Sequence, residues 1–292
     1  MKYSFFIFML LFSWRVWGVE VRLTPSFFGQ VKIEFDYSSN AKGGNDLVGA
    51  LVSGEGEKTP LPTNCSPEGG DAKLGDVYTL NFPDDLLVVT CLYNLNHSGL
   101  GIKGVDYRPM VFNGKGGLHQ RKDVEYLISG YEGTVEDGGR SYFFYDNKEL
   151  AALKIKSVAK GDVEDPLVLA HKVVIRRLHK QDDAALAYYI SPQRVAKLLA
   201  QNPLSKENAG LYNDMGYALS EVGNYHDALK LLYAVEKVVP NRMVLMLNIA
   251  DSLWASGSKS RAKEYYSKYR NLMSSSNKEA LIPLRVDERL GD

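Results

Sequence analysis

A glycine pattern in the first half of the chain is the first place where residue types and spacing suggest chemistry. Gly99, Gly101 and Gly104 form the pattern G-x-G-x-x-G directly after an apolar segment. In a dinucleotide-binding unit, this turn leads into a helix whose backbone amides hold a pyrophosphate. Here the following segment, Val105 to Phe112, contains Pro109 and alternates like a strand. The pattern therefore predicts a glycine-rich hairpin loop and no dinucleotide site.

Residues for acid–base or nucleophilic catalysis are few. His97 lies alone in a polar loop, and the acidic pairs Asp84-Asp85 and Glu136-Asp137 fall at expected turns, where carboxylates accept backbone hydrogen bonds. The sequence contains no G-x-S-x-G, H-E-x-x-H or P-loop pattern. Two cysteines and five scattered histidines do not make a metal site. We therefore expect no catalytic residues, no metal and no cofactor; a hydrolase with a site near His97 is the weaker alternative.

Two segments of equal length follow one another in the second half. Ala209 to Arg242 reads AGLYNDMGYALSEVGNYHDALKLLYAVEKVVPNR, and Met243 to Ser276 reads MVLMLNIADSLWASGSKSRAKEYYSKYRNLMSSS. When one is aligned on the other, small residues fall on small residues: Gly216 on Ala250, Gly223 on Gly257 and Ala228 on Ala262. A fixed period with this pattern predicts stacked helical hairpins. Small residues let two helices approach closely, and a glycine free to adopt positive φ ends the first helix.

This pattern resembles the tetratricopeptide repeat family. Gly216, Ala228 and Pro240 occupy the small-residue and proline positions of the family in the first copy. The second copy departs from the family, since Ser274 replaces the closing proline and Lys259 replaces an expected aromatic residue. The resemblance covers residues 209–276 only, and the alternative is an unrelated pair of helical hairpins.

The resemblance implies a groove that holds a peptide or a segment of another protein, lined by the first helix of each repeat. Seven residues match the lining positions: Asn213, Tyr217, Ser220, Leu247, Asn248, Asp251 and Trp254. Asparagine can donate to and accept from an extended peptide, and aromatic side chains supply anchors. Lysines that hold a terminal carboxylate in some members are absent at these positions. Alternatively, the groove is filled by the chain's own β-rich half or by its tail.

The first half predicts a β-rich domain of about 19–160, either a sandwich or an open barrel. Residues 19–37 alternate between apolar and polar, and the apolar segment Leu86 to Tyr93 predicts a strand inside its sheet. Val124 to Ser129 and Arg140 to Tyr145 are also expected to be strands.

The second half predicts a helical domain, residues 161–292, which makes the fold class α+β. Helical periodicity begins after Asn147. Three further helices are expected at about 167–180, 182–189 and 192–200. They form an N-terminal cap or a degenerate repeat ahead of the repeats at 209–242 and 243–276. A short capping helix is expected in the tail from Asn277 to Leu290.

The first eighteen residues predict export. Lys2 precedes the apolar run Phe5 to Phe12, and small or tolerated residues lead to a cleavage point after Gly18. No later apolar stretch has membrane-spanning length, so we expect no membrane span after cleavage. Arg15 near the end of the run leaves an uncleaved anchor as the alternative. The expected location is periplasmic or secreted.

The cysteine count agrees with export. Cys65 and Cys91 are the two cysteines of the chain, and an even pair in an exported protein predicts a disulfide. Closing that loop contributes about 3 kcal/mol in the chain-entropy account. The alternative is a buried free thiol at Cys91 and an unrelated exposed one at Cys65.

Charge limits the choice of partner. The net charge is zero, so a dedicated nucleic-acid binder is not expected. Val19 to Pro166 carries a net charge of −7, and Leu167 to Asp292 carries +5. We expect an exported, non-enzymatic module that binds another protein, either in the repeat groove or on the β-rich domain. The alternative is an inhibitor or immunity protein that neutralises a secreted toxin or hydrolase.

Overall fold

A computed structural model describes residues 18–68, 70–81 and 84–291. The predicted signal peptide therefore lies outside the described residues, apart from Gly18. The chain divides into two compact units with the boundary between Lys156 and Ser157, named here the β unit and the helical unit. The boundary expected from the sequence followed Lys160. The observed boundary falls four residues earlier, inside the helix Lys148–Ala159. The α+β fold class is confirmed, with two antiparallel sheets followed by helices.

The β unit contains two antiparallel sheets. The first sheet has the order β1-β2-β3-β4 and is made of β1 Val19–Phe27, β2 Gln30–Ser39, β3 Asn45–Ser53 and β4 Lys58–Pro60. The second sheet has the order β10-β9-β7-β6-β5, with β8 paired to β7. Its strands are β5 Lys73–Asn81, β6 Asp85–His97, β7 Ile102–Asn113, β8 His119–Gln120, β9 Gly130–Thr134 and β10 Arg140–Ser141.

The two sheets form a sandwich, because alternate residues of both sheets share one core. Ile33 and Phe35 of β2 are fully buried together with Leu87 of β6 and Phe112 of β7. Strand β6 lies between β5 and β7, and its alternate residues Leu86 and Val88 are buried on the opposite face. Burial on both faces explains why this strand is a nearly continuous apolar run.

Two helices cover the outer face of the second sheet: α1 Lys122–Leu127 and α2 Lys148–Ala159. The prediction of a strand at Val124 to Ser129 was wrong. Val124 and Ile128 lie four residues apart, so a helix places both on the sheet, where both are buried. Strand β10 is also shorter than the predicted strand from Arg140 to Tyr145.

The disulfide expected between Cys65 and Cys91 is present. Cys65 forms backbone hydrogen bonds with Leu47 of β3 in the first sheet, and Cys91 lies in β6 of the second. The bond therefore connects the two layers of the sandwich. The glycine-rich segment is the expected hairpin, since β6 and β7 pair antiparallel from His97 and Ile102 onward.

The helical unit contains eight helices within its described residues. They are α3 Leu167–His179, α4 Asp183–Tyr189, α5 Pro192–Gln201, α6 Ala209–Glu221, α7 Tyr225–Val238, α8 Met243–Ala255, α9 Lys259–Ser275 and α10 Leu284–Gly291. A short 3₁₀ turn, Glu279–Leu281, precedes α10. Helix α6 contacts α3, α7 and α8.

One turn geometry recurs in three helical hairpins, α3–α4, α6–α7 and α8–α9. Each turn has one residue with positive φ, namely Gln181 at 54°, Gly223 at 80° and Gly257 at 86°. In every case this residue's amide donates to the carbonyl three residues earlier, and the next amide donates to the carbonyl five residues earlier. These bonds satisfy carbonyl groups at the end of each first helix.

The close packing of α6 against α7 explains why residue 216 is a glycine. A Cβ added at Gly216 of α6 would lie 2.5 Å from Cδ2 of Leu232 in α7. Leu232 is fully buried, so it has little room to move. A glycine at this position lets α6 and α7 pack at the observed distance.

Candidate functional site

The shared turn defines equivalent positions on the first helices of the three hairpins. Counting back from the positive-φ residue, Tyr217 of α6 and Asp251 of α8 both lie six positions earlier, and Asn213 and Leu247 both lie ten positions earlier. The surface formed by these positions on α6 and α8, with the adjoining residues of α3 and α10, is named here the inner face. The seven residues for which the sequence predicted partner binding all lie on α6 or α8, and some of them are buried between the two helices.

Three of the seven residues connect α6 to α8. Asn213 is fully buried, and its Oδ1 accepts a hydrogen bond of 3.2 Å from Nδ2 of Asn248, which is 8 % exposed. The Ser220 hydroxyl accepts from the hydroxyl of Ser252 at 3.0 Å. Such buried pairs are costly to separate, because each leaves a polar group without a partner. Asn213 and Asn248 therefore hold the hairpins together rather than contact solvent.

Tyr217 and Leu247 remain accessible on the same face. Tyr217 is 38 % exposed, and Leu247 is half-buried. Val244, one turn earlier on α8, is 51 % exposed. Burial, followed by the nearby Glu221 carboxylate, raises the pKa of the Tyr217 hydroxyl. This hydroxyl therefore stays protonated and can donate a hydrogen bond at neutral pH.

Asp251 is the most heavily engaged of the predicted residues. Its carboxylate receives two hydrogen bonds from Arg285 of α10, from Nε at 3.2 Å and from Nη2 at 2.8 Å. Arg289, one turn later, donates from Nη1 at 2.7 Å. The Tyr266 hydroxyl of α9 donates at 2.6 Å. A paired guanidinium–carboxylate contact is among the stronger charge-assisted hydrogen bonds.

Trp254 completes this cluster with its ring. The Arg289 guanidinium lies over the indole at 5.2 Å from the centroid, and the Lys259 ammonium lies at 5.0 Å. The rings of Trp254 and Tyr266 are 6.2 Å apart. The guanidinium of Arg289 also lies 5.7 Å from the Tyr266 ring centroid. The Asp251 carboxylate thus contacts both arginines, and two aromatic rings flank Arg289, an arrangement that favours cations. We name Asp251, Trp254 and Tyr266 the acidic–aromatic site.

The acid–base properties of the cluster follow from these contacts. The hydrogen bond to Asp251 raises the pKa of Arg285 above its usual value. Burial, together with the Asp251 carboxylate, raises the pKa of Tyr266. Both groups are therefore donors at physiological pH, and the cluster is an ion pair supported by a neutral phenol.

A histidine–carboxylate hydrogen bond joins α3 and α6. His171 Nε2 is 2.9 Å from Oδ2 of Asp214. Burial tends to raise the pKa of Asp214, but hydrogen bonds from His171 and Asn213 outweigh this effect and lower it. The pair extends the polar contacts of the inner face from α3 to α8.

A different surface, on the outer face of the first sheet, contains a depression of about 620 Å³. Its charged groups largely pair with one another, since Lys32 contacts both Glu20 and Glu34, and Lys58 contacts Glu34. Most of its charge is therefore already compensated.

The two residue types considered for chemistry, histidine and metal ligands, lie apart from the acidic–aromatic site or form no cluster. His97 lies exposed at the tip of the β6–β7 hairpin, far along the chain from the acidic–aromatic site. Within the described part of the chain, no group of three or more His, Cys, Asp or Glu side chains is placed to hold a metal ion. The acidic–aromatic site instead presents fixed hydrogen-bond acceptors and ring faces, which select for cationic groups.

The sequence matches no known protein family and no curated protein. Among the described residues, no helix combines the length and the apolar character needed to cross a membrane.

The binding of Asp251 by Arg285 and Arg289 of α10 was not predicted from the sequence. Arg285 and Arg289 lie four residues apart, a spacing that indicates a common helix face. That signal was present in the tail, which was predicted only as a capping helix. His171 and Asp214 carried no comparable signal, because they belong to different hairpins.

Proposed function

We propose that the protein is an exported, non-enzymatic binding module that holds a segment of another protein on the inner face of the helical unit. One observation carries this proposal: Asp251, at a position that the repeat resemblance assigns to ligand contact, is bound to two arginines of α10. The inner face thus has the groups needed to bind a short helical segment.

The surface beside that contact supports the proposal. Tyr217, Leu247 and Val244 present apolar surface that solvent reaches. Exposed aromatic and aliphatic groups next to fixed charges are typical of protein interfaces. The predicted signal peptide and the Cys65–Cys91 disulfide support export, because disulfides persist in oxidising compartments.

The test is capture of a partner from the exported fraction with the full chain. A Tyr217→Ala/Val244→Ala variant removes two exposed inner-face groups. We expect at least a roughly tenfold loss of affinity for the captured partner, since two apolar anchors are lost. The matched control is Tyr126→Ala, which removes a tyrosine that is 84 % exposed in the β unit. Equal binding by the inner-face variant and the control would contradict the proposal.

The identity of the captured protein decides between two roles. A toxin or hydrolase whose activity falls on stoichiometric binding would indicate an inhibitor. A partner without such activity would indicate an adaptor.

A further inference from the structure

Helix α10 is attached to the helical unit by one fully buried apolar residue and by charged contacts. Val286 is the buried residue of this eight-residue helix, whereas Leu284 is 72 % exposed. A helix this short is not stable in isolation, so its position depends on the groups that it contacts. Those contacts are concentrated on one acidic residue, Asp251, which both Arg285 and Arg289 reach.

The geometry of the acidic–aromatic site fits a guanidinium group better than an ammonium group. A bidentate contact needs the planar fork of arginine, and Arg285 uses both Nε and Nη2 on the two carboxylate oxygens of Asp251. The Trp254 and Tyr266 rings flank Arg289. A lysine would lose both the fork and much of the stacking.

The charges around the site favour a helical ligand with two arginines. Asp251 is the acidic group that contacts both arginines, and Lys259 beside Trp254 is basic. On α10 itself, Asp287 faces Arg270 of α9 at 3.9 Å. A ligand helix is therefore expected to bind this site more tightly when it carries two arginines four residues apart and an acidic residue between them, as α10 does.

We propose that the acidic–aromatic site is a receptor for a partner helix that carries two arginines four residues apart, and that α10 occupies it until the partner displaces it. This inference rests on the proposed function and specifies its partner. A tethered helix has an effective concentration near the millimolar range, so a partner must bind the site more tightly than α10 does. Within α10, Val286 is the fully buried apolar side chain, which limits the burial free energy that a displacing partner must offset.

The experiment uses the full chain as receptor and a synthetic peptide of residues 278–291 as probe. In the receptor variant Arg285→Gln/Arg289→Gln, α10 loses its contacts to Asp251, and the site becomes available. Hydrogen exchange of the α10 amides reports that release. We expect the peptide to bind this variant at least about tenfold more tightly than it binds the wild-type chain, in which α10 competes.

Two controls test the chemistry of the site. Adding Asp251→Asn to the freed receptor is expected to weaken peptide binding at least about tenfold. A peptide with glutamine at both arginine positions is expected to bind with a similar loss. Circular dichroism and thermal melting verify that each receptor is folded. Should the arginine double variant fail to fold, faster α10 exchange in Asp251→Asn alone gives the corresponding readout.

Several outcomes would overturn the inference: α10 that stays protected in the double variant, no peptide binding to a freed receptor, or equal binding by the glutamine peptide. These outcomes are separable from failure of the proposed function. A partner from the exported fraction that binds wild type and Asp251→Asn equally would sustain the binding function and eliminate the arginine receptor.

Discussion

The β unit and the helical unit bury their cores by different means. In the β unit, core residues come from distant parts of the chain, as when Ile33 of β2 packs in one cluster with Phe112 of β7. The Cys65–Cys91 disulfide then joins the two layers. In the helical unit, each hairpin packs within itself and on its sequence neighbours, and one turn geometry is used three times.

This difference shows where each unit is vulnerable. Closure of the sandwich depends on contacts between residues far apart in the chain. Forming such contacts costs conformational entropy, because long loops must be closed. The hairpins depend on close approach between neighbouring helices, and thus on small residues such as Gly216. The two units can be followed separately in the chain from Val19 to Asp292, because Trp254 of the helical unit is the one tryptophan of that segment.

The largest expected effect tests closure of the sandwich. In Cys65→Ala/Cys91→Ala, the free energy of unfolding of the β unit is expected to fall by about 3 kcal/mol, because the unfolded chain regains the freedom of the closed loop. Urea unfolding followed by far-UV circular dichroism measures the loss. The transition reported by Trp254 fluorescence is expected to stay in place. An equal shift in both signals would mean that the units unfold together.

The next effect tests close approach in the helical unit. In Gly216→Ala, the new methyl group meets Leu232 at 2.5 Å, and the free energy of unfolding is expected to fall by about 1–3 kcal/mol. The control is Gly210→Ala in the same helix, whose Cβ would meet the mobile Arg242 side chain at 3.4 Å. That variant is expected to be neutral or slightly more stable, since alanine favours helix by about 1 kcal/mol over glycine. Urea unfolding monitored by Trp254 fluorescence distinguishes the two variants. Equal destabilisation of both would contradict a special packing role for Gly216.

The smallest effect concerns surface charge on the β unit. Hydrogen bonds from Lys32 and Lys58 hold the pKa of Glu34 at about 2, below its value of about 4.3 in an unfolded chain. The stabilisation is therefore present above the unfolded pKa and is lost as pH falls toward about 2. NMR titration of the Glu34 carboxyl carbon measures the folded pKa directly. Glu34→Gln is expected to flatten the dependence of the urea midpoint on pH between about 2 and 5; an unchanged slope would assign no role to this carboxylate.

Local patterns allowed much of the architecture to be predicted. The alternation of residues 19–37 and the apolar run in β6 indicated strands, and the paired cysteines indicated the disulfide. The helices that precede the repeats, such as α3 and α5, lie close to their predicted bounds. These features follow from side-chain periodicity within one element, which a sequence displays directly.

The errors in the sequence-based predictions have identifiable physical causes. Val124 and Ile128 belong to a short apolar segment whose period does not separate strand from helix, and the sheet beneath them decides the outcome. The α3–α4 hairpin was expected only as a cap or a degenerate repeat, because Gln181 replaces the glycine of the other turns and lies 42 residues before Gly223. The backbone accepts a non-glycine residue there at a small energetic cost.

By itself, the sequence determined the α+β class, with a β-rich half before a helical half, and the positions on α6 and α8 that share a helical period, because these depend on short periodic patterns. Only the tertiary structure decided what those positions contact. It placed Asn213 against Asn248 in the interior and brought the arginines of α10 onto Asp251. Those contacts join helices separated along the chain, so their geometry depends on how whole elements pack rather than on the residues beside them.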